Sequence, residues 1–244
     1  MKPFLLLASR EEDRAADAEY EAFLRYGALT PEELHRVRME AAPLPAIRLS
    51  DYSGVIVGGS PFNSTDPDEL KSATQHRVEA ELTALLDEIT NDDFPFLGAC
   101  YGIAALSNHR GGSIDTTYGE PVGAVLIELT AAGRADPLLA ELPETFSAFV
   151  GHKEACRVLP EDAVLLATSS ACPVQMFRIG QNVYATQFHP ELDADGLITR
   201  IAVYDRHGYF PPDQAEAVAS AARRADVSHA PGVLRAFVHR YAQD

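Results

Sequence analysis

The chain has 244 residues, 46% of them hydrophobic, and a formal net charge of −16. That length supports one large α/β domain with a full core, and the charge argues against nucleic acid or an anionic membrane surface as a partner. Its three cysteines, Cys100, Cys156 and Cys172, form no close pair, which argues against a disulfide framework and for a reducing compartment, the cytoplasm.

In chain order, residues 3–8 read as a buried strand rather than a signal peptide, because acidic residues follow at once. Residues 11–26 have a helical pattern. Thr30 and Pro31 read as an N-cap and first helical position, and Arg36–Arg48 as helix, loop and strand broken by Pro43 and Pro45. Residues 54–58 are a second buried strand, and 60–68 a polar, proline-containing loop. Val78, Leu82, Leu85, Leu86 and Ile89 give residues 75–90 one apolar helical face. Residues 94–99 are a strand and 101–110 a helix. This alternation predicts parallel pairing in a doubly wound, mostly parallel sheet flanked by helices. Short strands follow at 122–129, 147–150, 163–168, 174–179 and 183–188, with a hairpin at Gly180–Asn182. Residues 193–206 look helical, as do two segments of the tail, one capped by Asp213 and one opened by Pro231. The predicted organisation is an α/β domain over 1–206 and a helical extension over 207–244 packed on it.

The most informative stretch is Gly98-Ala-Cys100-Tyr-Gly102. A buried strand that turns through flanking glycines into a helix projects the apex side chain into a cleft, and the helix N-terminus favours a thiolate there. In open parallel sheets ligands sit outside the carboxyl ends of the strands, which is where Cys100 would lie. Downstream, Gln187-Phe-His189-Pro-Glu191 follows a strand. Proline pushes His189 toward extended backbone, so His189 and Glu191 share a face and the carboxylate can orient the imidazole. A base oriented by an acid, beside a cysteine, is the generalised triad. Each motif alone has a plainer reading, a buried thiol or a turn with a solvated acid; together they make a catalytic site.

With these residues in place, the chain resembles class I glutamine amidotransferases, in the style of the glutaminase half of GMP synthetases. Three blocks carry the resemblance in order: Val55-Ile-Val-Gly-Gly-Ser-Pro61, the Cys100 elbow with Leu106 and Gly111-Gly-Ser-Ile114, and Gln187–Glu191. A weaker match is Val150-Gly-His-Lys-Glu154. The resemblance implies a flavodoxin-like fold with a small antiparallel layer. It also implies that Cys100 attacks the side-chain amide of glutamine, that His189 acts as base and acid, and that Glu191 orients it. The backbone N–H groups of Gly59 and Tyr101 would stabilise the oxyanion. Gly58, Gly151, His152, Lys153 and Glu154 would meet the substrate. One position departs from the family pattern: Ala104 stands where the motif usually has Gln. The substrate is therefore L-glutamine or another γ-glutamyl compound, with a synthetase or other ammonia acceptor as an unidentified partner. A self-sufficient γ-glutamyl hydrolase and a non-catalytic relative are the alternatives. The DJ-1/PfpI-like group, which also uses a cysteine elbow, places His directly after the Cys; here that residue is Tyr101. No cluster at metal spacing, no Gly-x-Gly-x-x-Gly and no Walker loop occurs, so neither a metal nor another cofactor is expected. Self-association into a homo-oligomer is compatible with all of these readings.

Overall fold

The computed structural model describes residues 1–204 and 212–243. Its elements are β1 (Phe4–Ala8), α1 (Asp13–Gly27), β2 (Leu34–Arg38), β3 (Gly54–Val57), α2 (Ala73–Asn91), β4 (Phe96–Ala99) and α3 (Tyr101–His109). They continue with β5 (Ser113–Asp115), β6 (Glu120–Leu129), α4 (Ala131–Ala135), β7 (Thr145–His152), β8 (Ala155–Val158), β9 (Val164–Thr168), β10 (Met176–Ile179) and β11 (Val183–Thr186). The helices α5 (Ala194–Val203), α6 (Ala215–Arg224) and α7 (Pro231–Tyr241) follow. Among the described residues the main sheet has nine strands in the order β2-β1-β3-β4-β11-β10-β9-β6-β7, and β5 and β8 form a separate antiparallel pair. From β2 to β11 the pairings are parallel; from β11 to β7 they are antiparallel. None of the described helices is long and apolar enough to cross a membrane.

Alternation along the buried strands builds two cores. Phe4 and Leu6 face one cluster, with Phe23 of α1 and Leu234 and Phe237 of α7. Leu5 and Leu7 face the other, with Val78 and Leu82 of α2 and Ile103 and Leu106 of α3. Both faces of the parallel half are covered, as uninterrupted apolar strands require. The tail helix α7 is part of the first core: the Phe237 ring lies 5.9 Å from that of Phe4. Helix α6 packs with α5 through Ala219, Ala222, Leu197 and Ile201.

The structure corrects the reading of residues 30–48. Thr30 and Glu33 make only one turn, with the Thr30 N–H donating to the Glu33 carboxylate at 2.9 Å. The chain then runs as β2, with Leu34 beside Phe4. Pairing to the exposed edge of β1 overrides the helix-start signal, since propensity is a weak prior against tertiary context. Gly151 and His152 end strand β7, and β8 starts just after them. Residues 205 and 206 of the predicted 193–206 helix lie outside the described residues.

The elbow shows why its glycines are small. A Cβ on Gly98 would sit 2.8 Å from the Gly102 carbonyl carbon, so the strand and the first turn of α3 pack backbone to backbone. Gly98→Ala is expected to cost about 1–3 kcal/mol, as overpacking does. A lowered denaturant midpoint checks this; an unchanged midpoint would mean that the elbow widens freely.

Candidate active site

The loops after β1, β3, β4 and β11 converge at their carboxyl ends. Cys100 sits between β4 and α3 at φ 54°, ψ −88°, a rare and strained backbone for a residue with a Cβ. Its N–H donates to the Thr186 carbonyl at 2.8 Å, which fixes the apex against β11. Cys100 is partly exposed, whereas Cys156 and Cys172 are buried. Burial raises the Cys156 thiol and pushes the Cys172 thiol up to about 12. Neither thiol is suited to act as a nucleophile.

Past β11, the His189 N–H donates to the Phe149 carbonyl at 3.0 Å, tying the turn to β7. The His189 side chain is buried, with Nδ1 2.8 Å from Glu191 Oε1 and the Cys100 thiol within hydrogen-bond reach. Nδ1 must therefore donate to the carboxylate. Burial depresses the imidazole pKa, but the charges of Glu191 and Cys100 outweigh it, so the value is pushed up to about 9 against the opposing charge of Arg200. For Glu191, burial disfavours the anion, yet the charges of His189 and Arg200 hold the carboxyl well below the usual carboxylate range.

Gly58 and Gly59 cross directly under these groups. A Cβ on Gly59 would lie 2.6 Å from His189 Cε1 and 2.6 Å from Arg10 Nη2, and one on Gly58 2.7 Å from Glu19 Oε2. The Gly-Gly pair is thus a steric requirement of the site. Tyr101 is the first residue of α3, where backbone N–H groups are free of intrahelical bonds.

The chamber beside Cys100 is a cavity of about 20 Å³ lined by Phe62, Tyr101, Ala104, Gly151, Lys153 and Gln187 among others. Both ring nitrogens of His152 are engaged, Nε2 with Glu120 Oε2 at 2.9 Å and Nδ1 with the Glu154 carbonyl at 2.9 Å. The Glu154 carboxylate accepts from the Ser64 and Thr65 N–H groups, each at 2.8 Å, and so holds the 60–66 loop down. Phe62 of that loop lies edge-on to Tyr101, with ring centroids 6.4 Å apart. A second cavity of about 60 Å³ opens on the other side of Cys100 and His189, against Val122, Leu197 and Arg200.

Three charged residues at the site were absent from the sequence expectations: Arg10, Glu19 and Arg200, all at most 9% exposed. The available signal was periodicity. Glu19 falls on the same helical face as Ala15, Ala16 and Phe23, and Arg200 lies beside Leu197 and Ile201. An ionisable residue on an apolar face needs a buried partner.

Comparison with known proteins gives a consistent result. The sequence model of the family "Glutamine amidotransferase class-I" matches residues 20–196. A glutamine-hydrolyzing GMP synthase from Petrotoga mobilis is 28% identical over 150 residues, covering 60% of this chain and 26% of that protein. One of the subunits of the glutamine-hydrolyzing GMP synthase from Thermoplasma volcanium is 29% identical over 148 residues, covering 60% of this chain and 66% of its own length. The chain thus spans about a quarter of the first protein and less than two thirds of the second. A glutamine amidotransferase structure from Thermotoga maritima superposes over 100% of both chains with a TM-score of 0.79 at 21% identity. Another from Methylobacillus flagellatus covers 100% of this chain and 97% of its own, with a TM-score of 0.72 at 17% identity. At these identities the structures support the fold.

Proposed function

Because the chain belongs to the class-I glutamine amidotransferase family, we propose that it hydrolyses the side-chain amide of L-glutamine and releases ammonia through a γ-glutamyl thioester on Cys100. The observation that carries this reading is the run of contacts from Glu191 to His189 to Cys100 at the strand ends. The thiolate of Cys100 attacks the amide carbon, and the oxyanion is met by the backbone N–H groups of Gly59 and Tyr101. The His189 imidazolium gives its proton to the departing nitrogen, the C–N bond breaks and ammonia leaves. Neutral His189 then takes a proton from water as the water oxygen bonds to the thioester carbon. The C–S bond breaks, its electron pair returns to Sγ, and glutamate departs. Glu191 holds the imidazole in the tautomer both steps need.

A cavity of about 20 Å³ admits roughly one water molecule. Its outer wall is the 60–66 loop, which Glu154 holds in place. Ammonia passes to an acceptor or to a partner carrying the synthetase chemistry. Ala104 favours a second reading. Without an amide at that position the pocket discriminates less between glutamine and other γ-glutamyl amides, which makes a self-sufficient hydrolase of such compounds the competing function.

The test is intact-protein mass spectrometry after exposure to a glutamine-shaped diazoketone, with free glutamine as competitor and Cys100→Ala alongside. One adduct on the wild type alone, suppressed by glutamine, is the expected result. No adduct, with Cys100 still open to a small alkylating reagent, would remove glutamine as the substrate and leave γ-glutamyl amides.

A further inference from the structure

Behind His189 lies a buried chain of alternating charge. Arg10 Nε pairs with Glu19 Oε1 at 2.9 Å, and Arg200 Nη2 reaches the same oxygen at 3.1 Å. The same Nη2 pairs with Glu191 Oε1 at 2.8 Å, the oxygen that His189 Nδ1 also meets at 2.8 Å. Arg200 Nη1 stands 3.1 Å from His189 Nδ1. Since Nδ1 carries the hydrogen donated to Glu191, no lone pair is available to that guanidinium nitrogen. The contact is a positive charge pressed against the ring. The second oxygens of Glu19 and Glu191 are buried without a hydrogen-bond partner, so the arrangement is not one that maximises bonding. Buried ion pairs of this kind contribute little net stability compared with apolar packing of the same volume.

We propose that Arg200 is a positioning residue for the base. By sharing one carboxylate oxygen of Glu191 with His189, it limits how firmly the imidazolium is held, so that the ring can give up its proton and serve the hydrolytic half of the reaction. Glu19 is the counter-charge that keeps Arg200 there, and Arg10 holds Glu19 in turn. The titratable and charged groups around the ring are Glu191, Cys100 and Arg200, with Arg10, Glu19 and Tyr204 one layer out; the Tyr204 hydroxyl accepts from Arg10 Nη1 at 3.3 Å. In the acyl-enzyme the Cys100 sulfur is a neutral thioester, so without Arg200 the attraction of Glu191 acts on the ring unopposed. Each unit of upward shift leaves about ten-fold less neutral imidazole at pH 7. Acylation, which uses the imidazolium, is spared; deacylation, which uses the neutral ring, is slowed.

This inference rests on the hydrolytic reading above, and its first test does not need the substrate. The rate at which iodoacetamide alkylates Cys100, followed by intact mass against pH, should rise through a step as His189 loses its proton. In Arg200→Met that step should move up by about one unit, as loss of an adjacent charge does. In Arg200→Lys it should return close to the wild-type position. In Glu19→Gln it should move down, because Arg200 then acts uncompensated. With glutamine, Arg200→Met should lower kcat and KM together, leave kcat/KM within about three-fold, and accumulate a covalent γ-glutamyl adduct at neutral pH. An alkylation step that stays in place or falls in folded Arg200→Met overturns the proposal. So does a fall in kcat with unchanged KM. Should Arg200→Met fail to fold, Glu19→Gln decides: a downward step supports the proposal and an unmoved step overturns it. A wild type inert to glutamine would refute the function and leave the alkylation test standing.

Discussion

Cys100→Ala is expected to lower glutamine hydrolysis by about 10⁴-fold or more, the scale seen when a triad nucleophile is removed, while the protein stays folded. The thiol is partly exposed and alanine removes a single atom from it, so the stability change should stay within about 1 kcal/mol. Ammonia release and thermal melting, measured on the same preparation, check both halves. Activity within ten-fold of wild type would sink the thiol mechanism. Backbone geometry adds a second readout. At φ 54° the residue at position 100 is strained whatever its side chain, unless it is glycine. Cys100→Gly should therefore melt higher than Cys100→Ala. The wild-type chain keeps cysteine at that position despite the strain, as expected where backbone conformation serves to expose a side chain. Equal melting of the two variants would show that the elbow relaxes once the thiol is gone.

Much of the site was legible because its logic is local. Gly98 to Gly102 specifies strand, turn and helix within five residues, and His189-Pro-Glu191 fixes a carboxylate two positions from an imidazole. The apolar strands and the face of α2 follow from periodicity of two and 3.6. What the sequence hid depends on long-range pairing. Residues 34–38 became a strand because β1 offered an unpaired edge, information carried by residues thirty positions earlier. The short strands β5 and β8 exist through each other, with Ile114 beside Cys156. The buried charges were hidden for a related reason. Arg10 and Glu19 lie nine residues apart, but Arg200 stands 181 positions beyond Glu19, and the three acquire meaning only when α1 and α5 meet under the Gly58–Gly59 loop. Read singly, Arg10 and Arg200 are ordinary charged residues near a strand or helix end, and Glu19 is one acid among several in α1.

The acid–base pair carries the other large expected effect. His189→Ala should lower turnover by about 10³–10⁴-fold, because both proton transfers of the proposed reaction pass through that ring. The more diagnostic variant is Glu191→Gln. In the wild type the His189 pKa is pushed up to about 9, burial opposing and the charge of Glu191 as the largest favourable cause. The imidazolium needed to expel ammonia persists to that pH, so kcat/KM should fall on an alkaline limb near 9. With Gln at position 191, burial and the Arg200 charge both disfavour the imidazolium and only Cys100 supports it. The limb should then move to lower pH, and the loss of activity relative to wild type should be several times greater at pH 8 than at pH 6. Stability follows with the same sign. A histidine whose folded pKa is raised stabilises the fold fully below its ordinary value of 6.5, and that contribution fades as pH rises through about 9. Glu191, held low, contributes above its ordinary value of 4.5 and loses that contribution only in strong acid. The melting difference between wild type and Glu191→Gln should accordingly be largest between about pH 5 and 7 and shrink toward pH 9 and above. A limb that does not move in Glu191→Gln would mean that the carboxylate only orients the ring and leaves its charge to Cys100.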